Sequence, residues 1–340
     1  SYMTLGKSVQ MWKDWDSEQV EQDFAIMEQI GMNTVKIYLF WEDFFPVPEG
    51  GLNETAMAHL DEILEIAHCH NIKLVIDLMV GHMSGENYMV SWSEGRDLMH
   101  DPTMLRLQAK YIRMLTSRYR NDDRIVMWDI CNEISLYRLG RDGRPKEFPA
   151  LCEATIGRLG EPPSTDEYYL WLKTLTDAAR IGDGTHPVYS GVGTAQGTSM
   201  KDMAELTDVN ACYAYNWGWA YSMSSYLCGF ERALASAHQL PSLVEEFGTS
   251  KCWNSECYEA DYYGSVLYSS LLNGCVGALS WQYCDFKSMY DQSPYLYHHS
   301  EIPFGMVRDD ESLRPCCDTM RRFSQFLKRE ELRNAQLPDP

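Results

Sequence analysis

The fold is decided by nine residues, IVMWDICNE at positions 125–133, in which a mostly apolar run ends in Asn132 and Glu133. A second stretch, SLVEEFG at positions 242–248, has the same form and ends in two glutamates and a Phe-Gly pair. Short apolar runs of this length are typical of strands that are buried on both faces of a parallel sheet. We therefore expect two buried strands that each deliver carboxylates at their carboxyl ends.

Eight runs of this kind alternate with longer segments whose apolar residues recur at helical spacing. This alternation is typical of repeated βα units, and eight units predict an α/β fold of the (β/α)8 TIM barrel type, as one domain over residues 1–340. An open, doubly wound sheet is the alternative, but no G-x-G-x-x-G turn follows the first run. We expect enlarged loops after strands four and eight, at 135–164 and 284–314. The predicted strands are 5–10, 34–40, 74–80, 125–131, 187–191, 209–213, 242–246 and 276–281.

The composition excludes several classes of protein. Acidic residues outnumber basic ones by 49 to 29, and the net charge of −20 repels nucleic acid and anionic membrane surfaces. No apolar run approaches the roughly 18 residues of a membrane span. We therefore expect neither a nucleic-acid nor a membrane partner. The eleven cysteines lie scattered through the chain at spacings that fit no zinc module. They favour a cytoplasmic protein with no metal and no cofactor, or a secreted one if a signal peptide has been removed.

The carboxyl ends of the strands are where barrel enzymes carry their chemistry. Glu133 after the fourth strand and Glu246 after the seventh would meet there, and a pair of carboxylates is what glycoside hydrolysis requires. Aromatic side chains near the other strand ends suit a sugar cleft, because their faces stack on pyranose rings. Further candidates for contacts with an oligosaccharide substrate are Trp41, His82, Trp217, Asp285 and Glu301.

Three of these motifs together resemble glycoside hydrolase family 5 and its clan of retaining (β/α)8 enzymes. They are Asn132-Glu133, Glu246-Phe247-Gly248, and Trp281 at the end of the eighth strand. The resemblance implies that Glu246 is the nucleophile and Glu133 the general acid/base. It also implies that Asn132 binds the substrate hydroxyl next to the reacting carbon and that Trp281 forms the floor of the −1 subsite. The segments FWEDF at 40–44 and GHMSG at 81–85 are similar to a branch with β-mannosidases and mannanases.

Two positions depart from the family pattern. Lys36 stands where the family usually has an arginine that binds the nucleophile, and a lysine lacks the bidentate fork of arginine. Tyr213 stands where a histidine is common, two residues before Tyr215. We expect Lys36 and the two tyrosines to keep Glu246 ionised and to line the substrate site.

Several alternatives stay open at this point. Glu245 competes with Glu246 for the nucleophile role, because strand alternation lets only one of them point inward, and the Phe-Gly that follows favours Glu246. An exo-acting β-mannosidase on short manno-oligosaccharides is favoured over an endo-β-1,4-mannanase and over a β-glucanase or β-glucosidase. Outside the glycosidases, the rivals are a metal-dependent barrel hydrolase and a sugar-binding pseudoenzyme, which the departures at Lys36 and Tyr213 motivate.

Overall fold

Parallel strands and amphipathic helices alternate along the chain in the computed structural model, which describes residues 1–134, 165–191, 204–215 and 222–329. The strands are β1 (Thr34–Tyr38), β2 (Lys73–Asp77), β3 (His82–Met83), β4 (Glu86–Asn87), β5 (Ile125–Asp129), β6 (Val188–Tyr189), β7 (Asn210–Tyr213), β8 (Ser242–Phe247) and β9 (Gly277–Ser280). The helices are α1 (Ser17–Ile30), α2 (Trp41–Phe44), α3 (Glu54–Cys69), α4 (Pro102–Arg118), α5 (Thr165–Gly182), α6 (Ser222–Ala237), α7 (Glu256–Leu272) and α8 (Pro315–Leu327).

Two parallel sheets close into a barrel. One sheet has the order β1-β2-β5-β6 and the other β7-β8-β9. At one seam the backbone N–H of Asp208, just before β7, donates to the carbonyl of Val188 on β6 at 2.8 Å. At the other seam Tyr2 forms a parallel bridge with Ile37 of β1, and the N–H of Tyr283, after β9, donates to the carbonyl of Ser1 at 3.1 Å. The predicted (β/α)8 barrel is confirmed.

The first predicted strand, 5–10, is wrong. These residues form a turn and a 3-10 helix, Ser8–Gln10, and the segment around Tyr2 takes the first position of the barrel. The backbone N–H groups of Lys7 and Ser8 both donate to the carbonyl of Thr4, so the chain turns back immediately after its bridge to β1. Apolar residues of this turn are buried in the core, which is why they resemble a strand in the sequence. Each of the other seven predicted runs contains a strand.

Side-chain caps fix the first helix against the sheet. Asp16 accepts the backbone N–H of Gln19 at 3.1 Å and begins α1, as its residue type predicts. Gly31 ends α1 with a φ of 90°, a left-handed conformation that favours glycine. The chain then enters β1 after two residues, which sets the position of the side chains on that strand.

The barrel interior changes from apolar to polar along its axis. Inward-facing residues near the middle of the strands form one apolar cluster, with Val75, Met127, Tyr189, Ala211, Leu243 and Leu279 among its members. Two residues further along each strand, on the same face, lie Asp77, Asp129, Gly191, Tyr213, Glu245 and Trp281. The strands therefore deliver polar and aromatic side chains together at their carboxyl ends.

Candidate active site

Glu246 near the end of β8 is held by two phenol groups. The hydroxyl of Tyr38 on β1 donates to its Oε1 at 3.0 Å, and the hydroxyl of Tyr215 donates to its Oε2 at 2.9 Å. Burial raises the pKa of Glu246 above its usual range, and the charge of Lys36 and the two phenol hydrogen bonds keep it lower than burial alone would. One donor on each oxygen fixes the carboxylate and favours its ionised form.

Glu133 lies after β5, is partly exposed and has a φ of 49°, which is uncommon for a residue other than glycine. Burial, followed by the negative charges of Glu246 and Glu301, raises the pKa of Glu133 well above its usual range. The two glutamates therefore act on each other electrostatically. Their surroundings favour the acid form of Glu133 and supply donors for the ionised form of Glu246, a division that suits one acid and one nucleophile.

A β-bulge turns both neighbouring glutamates of β8 inward. The pairing of β7 with β8 shifts by one residue just before Tyr213, which pairs with Glu246. Glu245 is fully buried and lies against Lys36, while Glu246 contacts the two phenols. The expectation that only one of the two can point inward is wrong, because the bulge interrupts the alternation of side chains along the strand.

Lys36 makes none of its hydrogen bonds with Glu246, which corrects its expected place at the nucleophile. Its ammonium group is fully buried, lying 2.7 Å from Asp129 Oδ2, 2.5 Å from Glu245 Oε1 and 3.4 Å from Asp77 Oδ2. Lys36 precedes Tyr38 by two residues on the same face of β1, so the tyrosine reaches the nucleophile and the lysine stays below it. A substrate contact of Lys36 is also incompatible with this burial. We call Lys36, Asp77, Asp129 and Glu245 the Lys36 cluster.

Asn132 connects this cluster to the end of β5. Its Oδ1 accepts hydrogen bonds from Lys36 Nζ at 3.0 Å and from the hydroxyl of Tyr213 at 3.1 Å, and its Nδ2 donates to the carbonyl of His82 at 2.9 Å. Nδ2 carries a second hydrogen, which suits a substrate hydroxyl. Tyr213 is buried and supports Asn132, whereas Tyr215 alone of the two predicted tyrosines binds Glu246. The ring of His82 contacts Asn87 at 2.9 Å.

Trp281 and Glu301 also belong to this group of residues. The ring of Trp281 meets that of Tyr38 edge to face at 5.9 Å. Burial and the charge of Glu246 raise the pKa of Glu301 to about 7, and the neighbouring Trp281 and Ser84 partly offset this rise. Glu301 is therefore a third carboxyl group close enough to the catalytic candidates to affect both electrostatically.

The β3–β4 hairpin and the loop after β9 join beside these residues. Ser293 donates to the carboxylate of Glu86, and the ring of His298 lies against Gly85. Ser84 of the same hairpin is close enough to Glu301, in the joined loop, to influence the pKa of that carboxyl group. The two loops thus form one continuous wall next to Glu301.

Asp285 lies in a structural ion pair, which corrects its predicted contact with substrate. Arg314 donates to both of its oxygens, each at 2.7 Å, and the backbone N–H of Gly305 donates to Oδ1 at 2.9 Å. Both carboxylate oxygens are thus occupied by the protein. Asp285 ties the loop after β9 to the start of α8.

Two predicted aromatic contacts receive no support from this geometry. The ring of Trp41 contacts Trp92 at 5.1 Å and Tyr111 at 6.4 Å, and among the described contacts none joins it to Glu133 or Glu246. Trp217 lies outside the described residues. The enlarged loop at 135–164 also lies outside them, whereas the one at 284–314 is described and forms the wall.

Gly248, two residues after Glu246, is required because two strand ends pack closely at this position. A Cβ atom at this position would lie 1.9 Å from the carbonyl oxygen of Trp281. The strand ends of β8 and β9 approach so closely here that only glycine fits. The Phe-Gly pair therefore sets the distance between the nucleophile candidate and the tryptophan.

Four site residues were missed in the sequence. Tyr38 could have been found, because it lies two residues after Lys36 on the same face of a predicted strand. Asp77 and Asp129 lie inside predicted strands, where a carboxylate looks like an interruption of the apolar pattern. Ser84 has no signal beyond its position after the third predicted strand.

Two negative findings concern the described residues only. Over residues 1–134, 165–191, 204–215 and 222–329, no group of three or more His, Cys, Asp and Glu side chains is arranged to hold a metal ion. Within the same part of the chain, no helix is both long and apolar enough to cross a membrane.

Comparison with known proteins connects this geometry to one family. The model of the cellulase family, glycosyl hydrolase family 5, matches residues 4–140. Mannan endo-1,4-β-mannosidase A of Hypocrea jecorina is 22% identical over 293 residues, which cover 78% of this chain and 62% of that protein. The probable glucan 1,3-β-glucosidase A of Emericella nidulans is 26% identical over 127 residues, 35% of this chain and 30% of that protein. The chain thus spans less than two thirds of the length of either relative.

Solved structures share the whole architecture. A GH5_18 protein of Streptomyces cattleya, in complex with GlcNAc, superposes with a TM-score of 0.84 at 17% identity, over 100% of this chain and 81% of that one. An exo-β-1,4-mannosidase of Opitutaceae bacterium strain TAV5 gives a TM-score of 0.79 at 22% identity, over 97% of this chain and 59% of that one. At these identities the likeness establishes the barrel fold. The family model over residues 4–140 adds that the first part of the chain is similar in sequence to glycosyl hydrolase family 5.

Proposed function

We propose that this protein is a retaining β-glycoside hydrolase in which Glu246 is the nucleophile and Glu133 the general acid/base. The observation that carries the proposal is the environment of the two glutamates. Glu246 receives one phenol hydrogen bond on each oxygen, and the pKa of Glu133 is raised by burial and by the charge of Glu246. These are the ionisation states with which a double displacement begins.

The reaction then follows from the protonation states. In the first step a carboxylate oxygen of Glu246 attacks the anomeric carbon, and the glycosidic bond breaks as Glu133 gives its proton to the departing oxygen. Once Glu246 is an ester it carries no charge, so one cause of the raised pKa of Glu133 disappears. Glu133 can then act as a base, taking a proton from the water that attacks the anomeric carbon and releases Glu246.

The proposal also assigns the substrate contacts. The second N–H of Asn132 donates to the hydroxyl next to the reacting carbon, and Trp281 packs against the sugar ring in the −1 subsite. Glu301 and His82 are the further candidates for hydroxyl contacts. The catalytic barrel is proposed to form one domain over residues 1–340.

The test uses two glutamates that are both buried. Glu246→Gln should lose nearly all turnover of aryl β-glycosides, whereas the matched control Glu231→Gln, a buried glutamate on α6 that accepts from Asn210, should keep it. A 2-fluoro aryl β-mannoside should leave a covalent sugar on Glu246 that mass spectrometry locates. Full turnover by Glu246→Gln, or a label on Glu245, would remove Glu246 from the nucleophile role.

For the substrate, we propose exo action on short β-mannosides. The wall formed by the β3–β4 hairpin and the loop after β9 stands beside Glu301 and would limit a substrate to one sugar on that side. Two similar structures support the sugar: the exo-β-1,4-mannosidase already described, and a GH5_18 E153A variant of Streptomyces cattleya in complex with Manβ1-4GlcNAc, with a TM-score of 0.80 at 16% identity. An endo-β-1,4-mannanase is the second candidate, favoured by the Hypocrea jecorina relative.

Product analysis separates the two. On a ladder of β-1,4-mannooligosaccharides, an exo enzyme releases mannose from one end from the first minutes, whereas mid-chain products would support the endo alternative. A panel of aryl β-glycosides tests mannose against glucose.

The ten cysteines of the described residues are all free thiols, which supports the proposed cytoplasmic location.

A further inference from the structure

The Lys36 cluster lies directly below the site and contains one cation and three carboxyl groups. All four side chains are 0% exposed. A charge buried this deeply needs a partner, because no water screens it. One ammonium group balances one carboxylate, so two of the three carboxyl groups must hold a proton.

Asp129 has the surroundings of the ionised member. Its Oδ1 accepts the backbone N–H groups of Gly191 at 2.9 Å and Cys131 at 3.3 Å, and its Oδ2 lies 2.7 Å from Lys36. Burial opposes its ionisation, but the charge of Lys36 and a hydrogen bond with Glu245 hold the pKa of Asp129 below its usual range. Two backbone donors on Oδ1 and an ion pair with Lys36 at Oδ2 favour the anion.

Asp77 and Glu245 have the surroundings of neutral acids. Asp77 Oδ1 accepts a hydrogen bond from the backbone N–H of Met79 at 3.1 Å, and Glu245 Oε1 accepts one from Lys36 Nζ at 2.5 Å. The other oxygens, Asp77 Oδ2 and Glu245 Oε2, accept no hydrogen bond in the described part of the chain, and Lys36 Nζ comes no closer than 3.4 Å to Asp77 Oδ2. A proton on each would make it a donor to Asp129, whose Oδ2 accepts no hydrogen bond from the N–H and O–H groups of the described residues and is open to one. Both carboxyl groups interact electrostatically with Asp129. Burial raises the pKa of both groups.

Other neighbours of the cluster agree with this assignment. Tyr189 on β6 and Tyr213 on β7 face it, and burial keeps both phenols neutral by raising their pKa. Gly191 makes the room for Glu245, since a Cβ there would lie 2.6 Å from Glu245 Oε1. The lysine is the cation of the cluster, and its remaining donor is used on Asn132.

We propose that Asp129 carries the only negative charge of the cluster, that Asp77 and Glu245 are carboxylic acids that donate to it, and that Lys36 thereby positions Asn132 for the reaction. Lys36 is a positioning residue, because it touches Asn132 and no substrate. This role rests on the proposed function, in which Asn132 binds the hydroxyl next to the reacting carbon. The protonation pattern stands independently of it.

Amide substitutions test the protonation pattern. Glu245→Gln and Asp77→Asn each keep one acceptor and one donor, so kcat should fall by no more than about three-fold, because the neutral hydrogen bonds are preserved. Glu245→Ala, as the matched control, removes both and should lose more. In the infrared spectrum at pH 7, wild-type protein should show the carbonyl stretch of protonated carboxyl groups, and the double variant Asp77→Asn/Glu245→Gln should lose the part of that band that Asp77 and Glu245 contribute, while the part from Glu133 remains. An unchanged spectrum, or a Glu245→Gln variant as damaged as Glu245→Ala, would overturn the pattern.

A paired substitution separates positioning from stability. Asp129→Asn removes the ionised partner of Lys36, so Glu245 or Asp77 must ionise in a less suitable environment, and the melting temperature should fall. Adding Lys36→Met removes the buried ammonium charge and should restore the melting temperature, but kcat should stay about 100-fold low with a smaller change in KM, because Asn132 has lost a donor that orients it. If kcat recovers together with the melting temperature, Lys36 is purely structural and the positioning role is refuted.

The two proposals fail in different ways. If wild-type protein hydrolyses no aryl β-glycoside, the proposed function fails, while the infrared spectrum still decides which carboxyl groups hold protons. If wild-type protein is active and the amide variants are not, the protonation pattern fails and the function stands.

Discussion

Replacing Tyr215 with phenylalanine should move the acid limb of the activity profile to higher pH. The substitution keeps the ring and removes the hydroxyl that donates to Glu246 Oε2 at 2.9 Å. A hydrogen bond to a charged group contributes about 1.5–3 kcal/mol. Tyr215 is partly exposed, so we take the lower end of that range. At 1.36 kcal/mol per pKa unit, the pKa of Glu246 should then rise by about one unit.

The direction follows from the role of the group. The nucleophile must be ionised, so activity is lost as pH falls through the pKa of Glu246, and a higher pKa moves that loss to higher pH. The assay is kcat/KM against pH on an aryl β-glycoside, because this ratio reports the ionisation of the free enzyme.

The control is a tyrosine with the same chemistry elsewhere. The hydroxyl of Tyr119 donates to Asp61 at 2.7 Å on the outer helices, and Tyr119→Phe should leave the acid limb in place. If Tyr215→Phe lowers kcat/KM equally at every pH and the limb does not move, the hydroxyl does not favour the ionised nucleophile and the reasoning is refuted.

Three further substitutions test other parts of the structure. Glu301→Gln removes a negative charge that raises the pKa of Glu133, so the alkaline limb of kcat/KM should move to lower pH, and an unmoved limb would contradict the electrostatic contact. Asp285→Asn breaks the buried pair with Arg314 and should lower the free energy of unfolding by about 3–5 kcal/mol in denaturant titrations. KM should stay unchanged, and a raised KM would restore Asp285 to the substrate site. Gly248→Ala places a Cβ 1.9 Å from the carbonyl oxygen of Trp281, so the melting temperature should fall and KM should rise; wild-type values for both would show that the strands separate freely.

The sequence predicts the barrel because seven of its strands are buried on both faces, which leaves a nearly continuous apolar run for each. The same property places Glu133 and Glu246 at strand ends, where a polar residue interrupts the run. The segment around Tyr2 gives no such signal, because it forms only an isolated bridge to β1 and is followed at once by an apolar turn.

Contacts between distant residues explain what the sequence does not predict. Nothing near Asp285 indicates that Arg314, 29 residues later, takes both of its oxygens. Lys36 lies deeper along the barrel axis than Tyr38, although both are on the same face of β1. This difference in depth keeps the lysine away from Glu246. The inward position of Glu245 depends on a shift in the pairing of β8 with β7. The pattern of residues along one strand does not predict how that strand pairs with its neighbour.

The bulge in β8 also makes the number of residues in that strand part of the active site. Deleting one residue there would restore regular alternation of side chains. Either Glu245 of the Lys36 cluster or the nucleophile candidate Glu246 would then point out of the barrel. In an alignment of related barrels, a one-residue gap at this strand would therefore indicate that the residues of the Lys36 cluster are arranged differently, even where the Glu-Phe-Gly motif is intact.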